Sequence, residues 1–259
     1  MDILSLIPTV YEKLMIFILV MTRISTLLTS LFVFRREMIT ARIVVSISGL
    51  MAVTVVLLNP QLAVPANFGG FAMTVEMVMQ IFIGMTSGLL LNLMFETFVT
   101  FGQIVSTQLG LGFAGMIDPR YGSISNLTQF YMLVATILFF FLNGHLIVIK
   151  AIVESFNTLP LFHVFNMKTI LQTVISYSGT MFTGGLMLAI TLVIVLMLCN
   201  ISLAVMTRFA PQFNLFSIGI NMTLVLGLIC AYLTFPLFME QGTRVMQACF
   251  NLFVQLLQR

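Results

Sequence analysis

The sequence predicts an all-α integral membrane protein built from helical hairpins, and three observations carry that expectation. Of the 259 residues, 60% are hydrophobic and only 7% are charged, against about 25% charged in soluble domains, and the mean hydropathy is +1.13. The charges leave uncharged intervals at 43–75, 77–95, 97–117, 121–149, 169–207 and 209–239, most of them longer than the about 20 apolar residues that cross a bilayer. Runs such as LVATILFFFLNGHLIVI and LMLAITLVIVLML are apolar on every side, whereas strands of a membrane barrel alternate polar and apolar over about 10 residues. Helices of this kind satisfy their own backbone groups, as lipid requires.

The first helix is read over 14–34, interrupted by Arg23, and the basic cluster FRREMITAR with Arg35, Arg36 and Arg42 follows it. That cluster is read as a positive-inside loop rather than a lipid-headgroup site. A second helix spans 43–58, and NPQLAVPANFGG at 59–70 is a loop, with two prolines and a glycine pair. A third covers 72–95, opened by Glu76 and closed by Glu96; within it GMTSG, holding Gly84 and Gly88, is a small-residue motif for close helix packing. A fourth is expected at 127–149. ESFNTLPLFHVFN at 154–166 is too short to span and reads as an interfacial or re-entrant piece. Helices at 178–206 and 213–238 flank RFAPQFN, where Pro211 lacks an N–H and ends or kinks the helix, giving a helical hairpin. A shorter apolar tail covers 245–257.

Simple six-span topology meets one difficulty. With the 35–42 loop placed inside, Arg35, Arg36, Arg42, Arg120 and Arg208 stand against Lys13, Lys150, Lys168, Arg244 and Arg259 on the other side. Equal counts give no orientation, as expected if some helices do not cross the bilayer in the ordinary way. Charge at bilayer depth costs about 2.5–3.5 kcal/mol or more and normally finds a partner. Arg23 pairing with Glu76 or Glu96 is one reading; the other is that both glutamates mark helix ends.

Several functions are disfavoured. GLGFAG at 110–115 matches the dinucleotide fingerprint G-x-G-x-x-G, but no strand precedes it and no acid lies about 20 residues on, so the match is accidental. A dispersed net charge of +3 does not make a nucleic-acid surface. Cys199, Cys230 and Cys249 are too widely spaced for a zinc site or a disulfide framework and read as packing residues. The N-terminus, with Asp2 and no basic stretch before the first apolar run, does not read as a cleaved signal. His145 and His163 form no metal-ligand pattern, G-x-S-x-G and H-E-x-x-H are absent, and no catalytic, cofactor or metal residue is expected.

Interval 97–117 is the unusual one. It is uncharged yet carries Gly102, Gly110, Gly112 and Gly115 with Gln103, Gln108, Ser106 and three threonines, and Asp118-Pro119 ends it. Each glycine costs a helix about 1 kcal/mol, and irregular backbone at membrane depth is tolerated only inside protein or beside a wet cavity. The segment is therefore read as a gate: Gly110, Gly112 and Gly115 hinge it, and Phe113, Met116 and Ile117 supply bulk that fills or dewets a pore. Close helix packing is the alternative for the same glycines.

Taken in order, TRISTLLTSLFVF (22–34), GQIVSTQLGLGFAGMIDP (102–119), FLNGHLIVIKAIVESFNTLP (141–160) and RFAPQFNLFSIGI (208–220) resemble the FliR family, the membrane component of the flagellar type III export gate with a counterpart in virulence injectisomes. FNTLP and NGH resemble the flagellar branch more closely. The resemblance implies a FliP-like part over 1–176, with a plug loop at about 106–122, joined to a FliQ-like hairpin over 177–259. It places Phe113 and its glycines, with Met116, Ile117, Asp118 and Pro119, in the plug, and Arg208, Pro211, Gln212 and Asn214 at the hairpin tip. Ile117 departs from the aromatic or valine expected before Asp118, though an apolar residue still suits a seal.

The implied function is non-enzymatic: a subunit that lines and plugs the channel for unfolded flagellar substrates, in the bacterial inner membrane at the basal body. The implied partners are FliP and FliQ homologues in a helical ring, FlhB, the substrates and membrane lipid, without nucleic acid or cofactor. The rivals are a virulence export subunit, a stand-alone secondary transporter, for which no internal repeat is found, and an intramembrane enzyme.

Overall fold

The computed structural model describes residues 3–31, 40–60, 62–65, 70–111, 125–162, 167–209 and 220–258, and every regular element among them is an α-helix. In chain order these are α1 (Ile3–Ser30), α2 (Ala41–Leu58), α3 (Gly70–Gln108), α4 (Asn126–Phe141), α5 (Gly144–Thr158), α6 (Met167–Phe209) and α7 (Ile220–Gln258). Five of them are long and apolar enough to cross a membrane, or six spans if the broken pair α4 and α5 counts as one. The chain is an all-α membrane protein.

α3 and α7 outrun the sequence reading, and a third predicted helix is broken. α3 does not stop at Glu96 but runs through it to Gln108. Two of the three threonines in 97–108 turn their hydroxyls onto their own helix: Thr100 donates to Glu96 O at 2.8 Å and Thr107 to Ile104 O at 2.8 Å, so these two need no outside partner. α7 absorbs the separate tail, running from Ile220 through Pro236 to Gln258, and Arg244 bridges to Glu240 one turn back at 2.7 Å. The predicted fourth helix is instead two. α4 closes at Leu142, whose N–H bonds Leu138 O, and Asn143 takes a left-handed φ of 56° before α5 begins; asparagine tolerates that region better than most residues.

The chain folds into two compact units that interleave in sequence. One comprises Met1–Leu93, Asn143–Tyr177 and Cys249–Arg259, the other Met94–Leu142 and Ser178–Ala248. This is a division by packing; the division at 176/177 is one by resemblance, and the packing does not adjudicate between them.

In the first unit α1 packs along α2, whose Val44, Ser48, Ala52 and Val55 form one buried face at helical spacing. α1 and α3 run parallel, since their contacts advance together. A Cβ at Gly84 would fall 2.0 Å from Thr26 Oγ1 and 2.5 Å from Arg23 O, and one at Gly88 would fall 1.7 Å from Ser30 Oγ and 2.8 Å from Leu27 O. GMTSG is thus a packing motif. Because backbone as well as side chain stands in the way, Gly88→Ala is expected to destabilise the protein by about 1–3 kcal/mol. Gly49→Ala, with nothing within 4 Å of the new Cβ, should be neutral or stabilising by up to about 1 kcal/mol; melting temperatures in detergent compare the two. The α2–α3 loop is tied down where Val64 N–H donates to Glu12 Oε1 at 3.0 Å. The end of α7 joins this unit where Cys249 Sγ lies 3.8 Å from Leu90 O and Thr158 Oγ1 donates to Leu257 O.

In the second unit α6 and α7 are antiparallel: Thr223 pairs with Asn200 and Gly227 faces Leu196. Rings from three helices close its core. Phe101 of α3 meets Tyr131 of α4 edge-on at 4.6 Å and Phe238 of α7 at 4.8 Å, and Phe98 reaches Phe238 at 6.0 Å, separations at which aromatic pairs attract beyond their burial.

Candidate functional site

Two places carry the residues singled out from sequence, one in each unit. In the first, Arg23 is 1% exposed although it belongs to an apolar helix. A buried guanidinium must spend its donors on acceptors, and it does so. Nε donates to Gln80 Oε1 at 2.5 Å, Nη1 to Ser155 O and Oγ at 3.2 and 3.1 Å, and Nη2 to Leu159 O at 3.0 Å. Ser155 O and Leu159 O belong to the last turn and C-cap of α5; Ser155 O also accepts the N–H of Leu159 at 2.8 Å, and a helix C-terminus favours a cation. The guanidinium also lies 4.2 Å from the ring centroid of Phe156.

Charge compensation comes from α3. Gln80 Nε2 donates to Glu76 Oε1 at 2.5 Å, and Glu76 is 6% exposed. The buried cation and buried carboxylate are therefore joined through one amide that accepts from Arg23 and donates to Glu76, and which makes the orientation of the Gln80 side chain unambiguous. Of the two glutamates offered from sequence, Glu76 is the one tied to Arg23. Glu96, half-buried, lies in the interior of α3 and belongs to the other unit. Neither marks a helix end.

Gln80, Ser155 and Leu159 were missed from sequence. Gln80 could have been found, because it stands four residues after Glu76 and so on the same helix face. Ser155 and Leu159 could not, since nothing local says that α5 returns to α1.

The second place is the end of α3. Gly110 has φ 74°; its N–H bonds Thr107 O at 3.1 Å and the N–H of Leu111 bonds Ser106 O at 3.0 Å. This is a Schellman cap, which only glycine forms without strain. Gly110 thus ends α3, its own N–H and that of Leu111 being bonded to carbonyls of the helix; this geometry does not decide the hinge expected from sequence. Gly112, Phe113, Gly115, Met116, Ile117, Asp118 and Pro119 lie outside the described residues. The chain re-enters at Ser125, whose hydroxyl accepts from Thr128 N at 3.2 Å and caps α4. Thr128 packs so closely on α3 that a Cβ at Gly102 would lie 2.8 Å from its Cα. Leu111 and Ser125, the described residues on either side of 112–124, both belong to the second unit.

Of the hairpin-tip residues, Arg208 is exposed in the last turn of α6, where a cation favours the helix dipole; Pro211, Gln212 and Asn214 lie outside the described residues.

Comparison with known proteins gives this geometry a family. The profile of bacterial export proteins, family 1, matches residues 14–249. Over 200 residues, 75% of this chain and 76% of the other, the sequence is 31% identical to the flagellar biosynthetic protein FliR of Escherichia coli (strain K12). The chain belongs to the FliR family of bacterial export proteins. A FliR of Buchnera aphidicola subsp. Baizongia pistaciae (strain Bp) is 32% identical over 160 residues, 61% of this chain and 62% of that protein's own length. The surface presentation of antigens protein SpaR of Shigella flexneri is 28% identical over 158 residues, 61% of each chain. The family match contains the Arg23 relay, the Gly110 cap and the Arg208 turn, so this FliR-family chain is a membrane component of bacterial export.

Proposed function

We propose that the protein is a non-enzymatic gate subunit of the flagellar type III export apparatus in the bacterial inner membrane, at the flagellar basal body, and that it lines and plugs the channel for unfolded substrates. The observation that carries this reading is the family match over 14–249, with flagellar relatives at 27–32% identity, a range that includes the 28% of the SpaR protein. A second observation supports assembly with other chains. Exposed apolar residues run along α6 from Leu171 through Phe182, Met187, Ile194 and Ile201 to Phe209, about 57 Å at 1.5 Å per residue. A bilayer covers only about 30 Å with hydrocarbon. FliP and FliQ homologues in a helical ring, with FlhB beside it, would cover the remainder.

The role of 112–124 rests on the sequence argument: Phe113, Met116 and Ile117 obstruct the channel. Purification in mild detergent after co-expression with FliP and FliQ homologues tests the assignment. A large hetero-oligomer is expected; a monomer or homodimer, the outcome a stand-alone transporter predicts, overturns it. Whether the substrates are flagellar or those of a virulence system is read by complementing motility in a strain lacking its own FliR.

A further inference from the structure

A cavity of water size lies inside the second unit, where α3, α4, α6 and α7 meet. It leaves about 10 Å³ for the centre of a water molecule, which is room for a single one. The helices cannot close in and fill it, because they already touch at other levels. A Cβ at Gly185 of α6 would lie 2.9 Å from Thr100 Cβ of α3, one at Gly242 of α7 would lie 3.1 Å from Phe98 Cε1, and one at Gly227 would lie 1.8 Å from Leu109 Cδ2. Between the two glycines of α7, Pro236 interrupts the amide ladder of the helix, and its ring holds the chain off the carbonyl four residues back.

The lining is not uniformly apolar. Beside Phe101 and Phe238 it carries Tyr131, Thr191, Thr234 and Gln241. Tyr131 is 3% exposed, and among the described residues nothing hydrogen-bonds its hydroxyl. That hydroxyl is not one of the fully enclosed unpaired atoms, so the small open part of the residue includes it, and what it opens on is the cavity. The Thr191 hydroxyl and the Gln241 amide are likewise without a partner among the described residues, whereas Thr234 already donates to Cys230 O at 2.9 Å and offers only its lone pairs. Thr191 and Gln241 fall in the middle third of the apolar spans 167–206 and 222–258, where bulk water does not reach and an unsatisfied polar group is costly. Cavities that stay dry are lined by apolar groups. We propose that this cavity is a hydration site: one bound water accepts from the Tyr131 hydroxyl and the Gln241 amide and donates to Thr234 and Thr191, tying α4 to both helices of the α6–α7 hairpin.

Radiolytic labelling of the purified full-length protein, with its fold verified by gel filtration, tests this. An X-ray pulse converts bound water to hydroxyl radicals, which hydroxylate the side chains they touch. Phe238 lines the cavity and Phe139 does not, and both are 4% exposed, so the pair separates a bound water from residual exposure. Phe238 is expected to be labelled and Phe139 to stay at background. Equal labelling, as a dry cavity or one filled by a lipid oxygen would give, overturns the site. Tyr131→Phe keeps the ring against Phe101 and Phe238 and removes only the hydroxyl, so it should abolish the labelling of Phe238. Gln241→Leu should do the same, and it carries the test if Tyr131→Phe does not fold. Labelling that persists in the folded variant would show that these groups hold no water, and the hydration site would fall with it. None of these outcomes depends on the role of 112–124.

Discussion

Replacing Arg23 by alanine is expected to abolish accumulation of the assembled protein. The guanidinium serves two ends at once. It caps two carbonyls at the C-terminal end of α5, and through Gln80 it compensates the carboxylate of Glu76. Removing it strands a nearly buried carboxylate and leaves Leu159 O without its charged donor. Breaking a buried pair by deleting one partner costs about 3–5 kcal/mol, a large share of the about 5–15 kcal/mol by which proteins are stable. Arg23→Lys should rescue poorly, because one ammonium on a flexible stem cannot reach Gln80 and both carbonyls in the geometry of a planar fork. Neutralising both charges, as Arg23→Met with Glu76→Gln, should restore more protein than Arg23→Met alone, since no charge is then stranded. Immunoblots of membranes and gel filtration measure all four; wild-type levels of assembled Arg23→Ala would show that the relay contributes little.

The other large effect is on conductance. With residues 112–117 deleted, the assembled complex is expected to pass ions where the wild type is closed, and Phe113→Ala should do so to a smaller extent. The deletion spares Gly110 by design. A deletion beginning at Gly110 would remove the cap of α3 and mix loss of the helix stop with loss of the seal. Phe113 is chosen because a large aromatic ring both fills space and repels water from a narrow passage. The measurement is bilayer conductance of the intact complex, and a closed trace for the deletion would remove the plug assignment.

Much of the fold was legible because the bilayer imposes few solutions. Sparse charge and uninterrupted apolar runs leave only helices, and α2 ends at Leu58, where the proline-bearing 59–70 stretch was expected to break it. The misreadings share a cause. Glu96 and the threonines after it were taken as the end of a helix, and the 239–244 stretch as a gap, because polar groups in an apolar chain suggest an exit. Thr100, Thr107 and Arg244 are instead satisfied by their own helix, one turn back, and α3 runs on through Glu96. Conversely, the uncharged run 127–149 conceals a break at Leu142 and Asn143 that hydropathy does not register.

What the sequence by itself determined is class and family: helices that satisfy their backbone in lipid, and four ordered segments with a family's pattern. What only the tertiary structure decided is which residues answer one another. Arg23 and Ser155 are 132 positions apart, and Leu109 meets Gly227 across a similar stretch of chain. A buried cation or a missing Cβ signals in sequence only that a partner exists. Its identity depends on which helix faces pack, and helices uniformly apolar around their circumference do not declare that face.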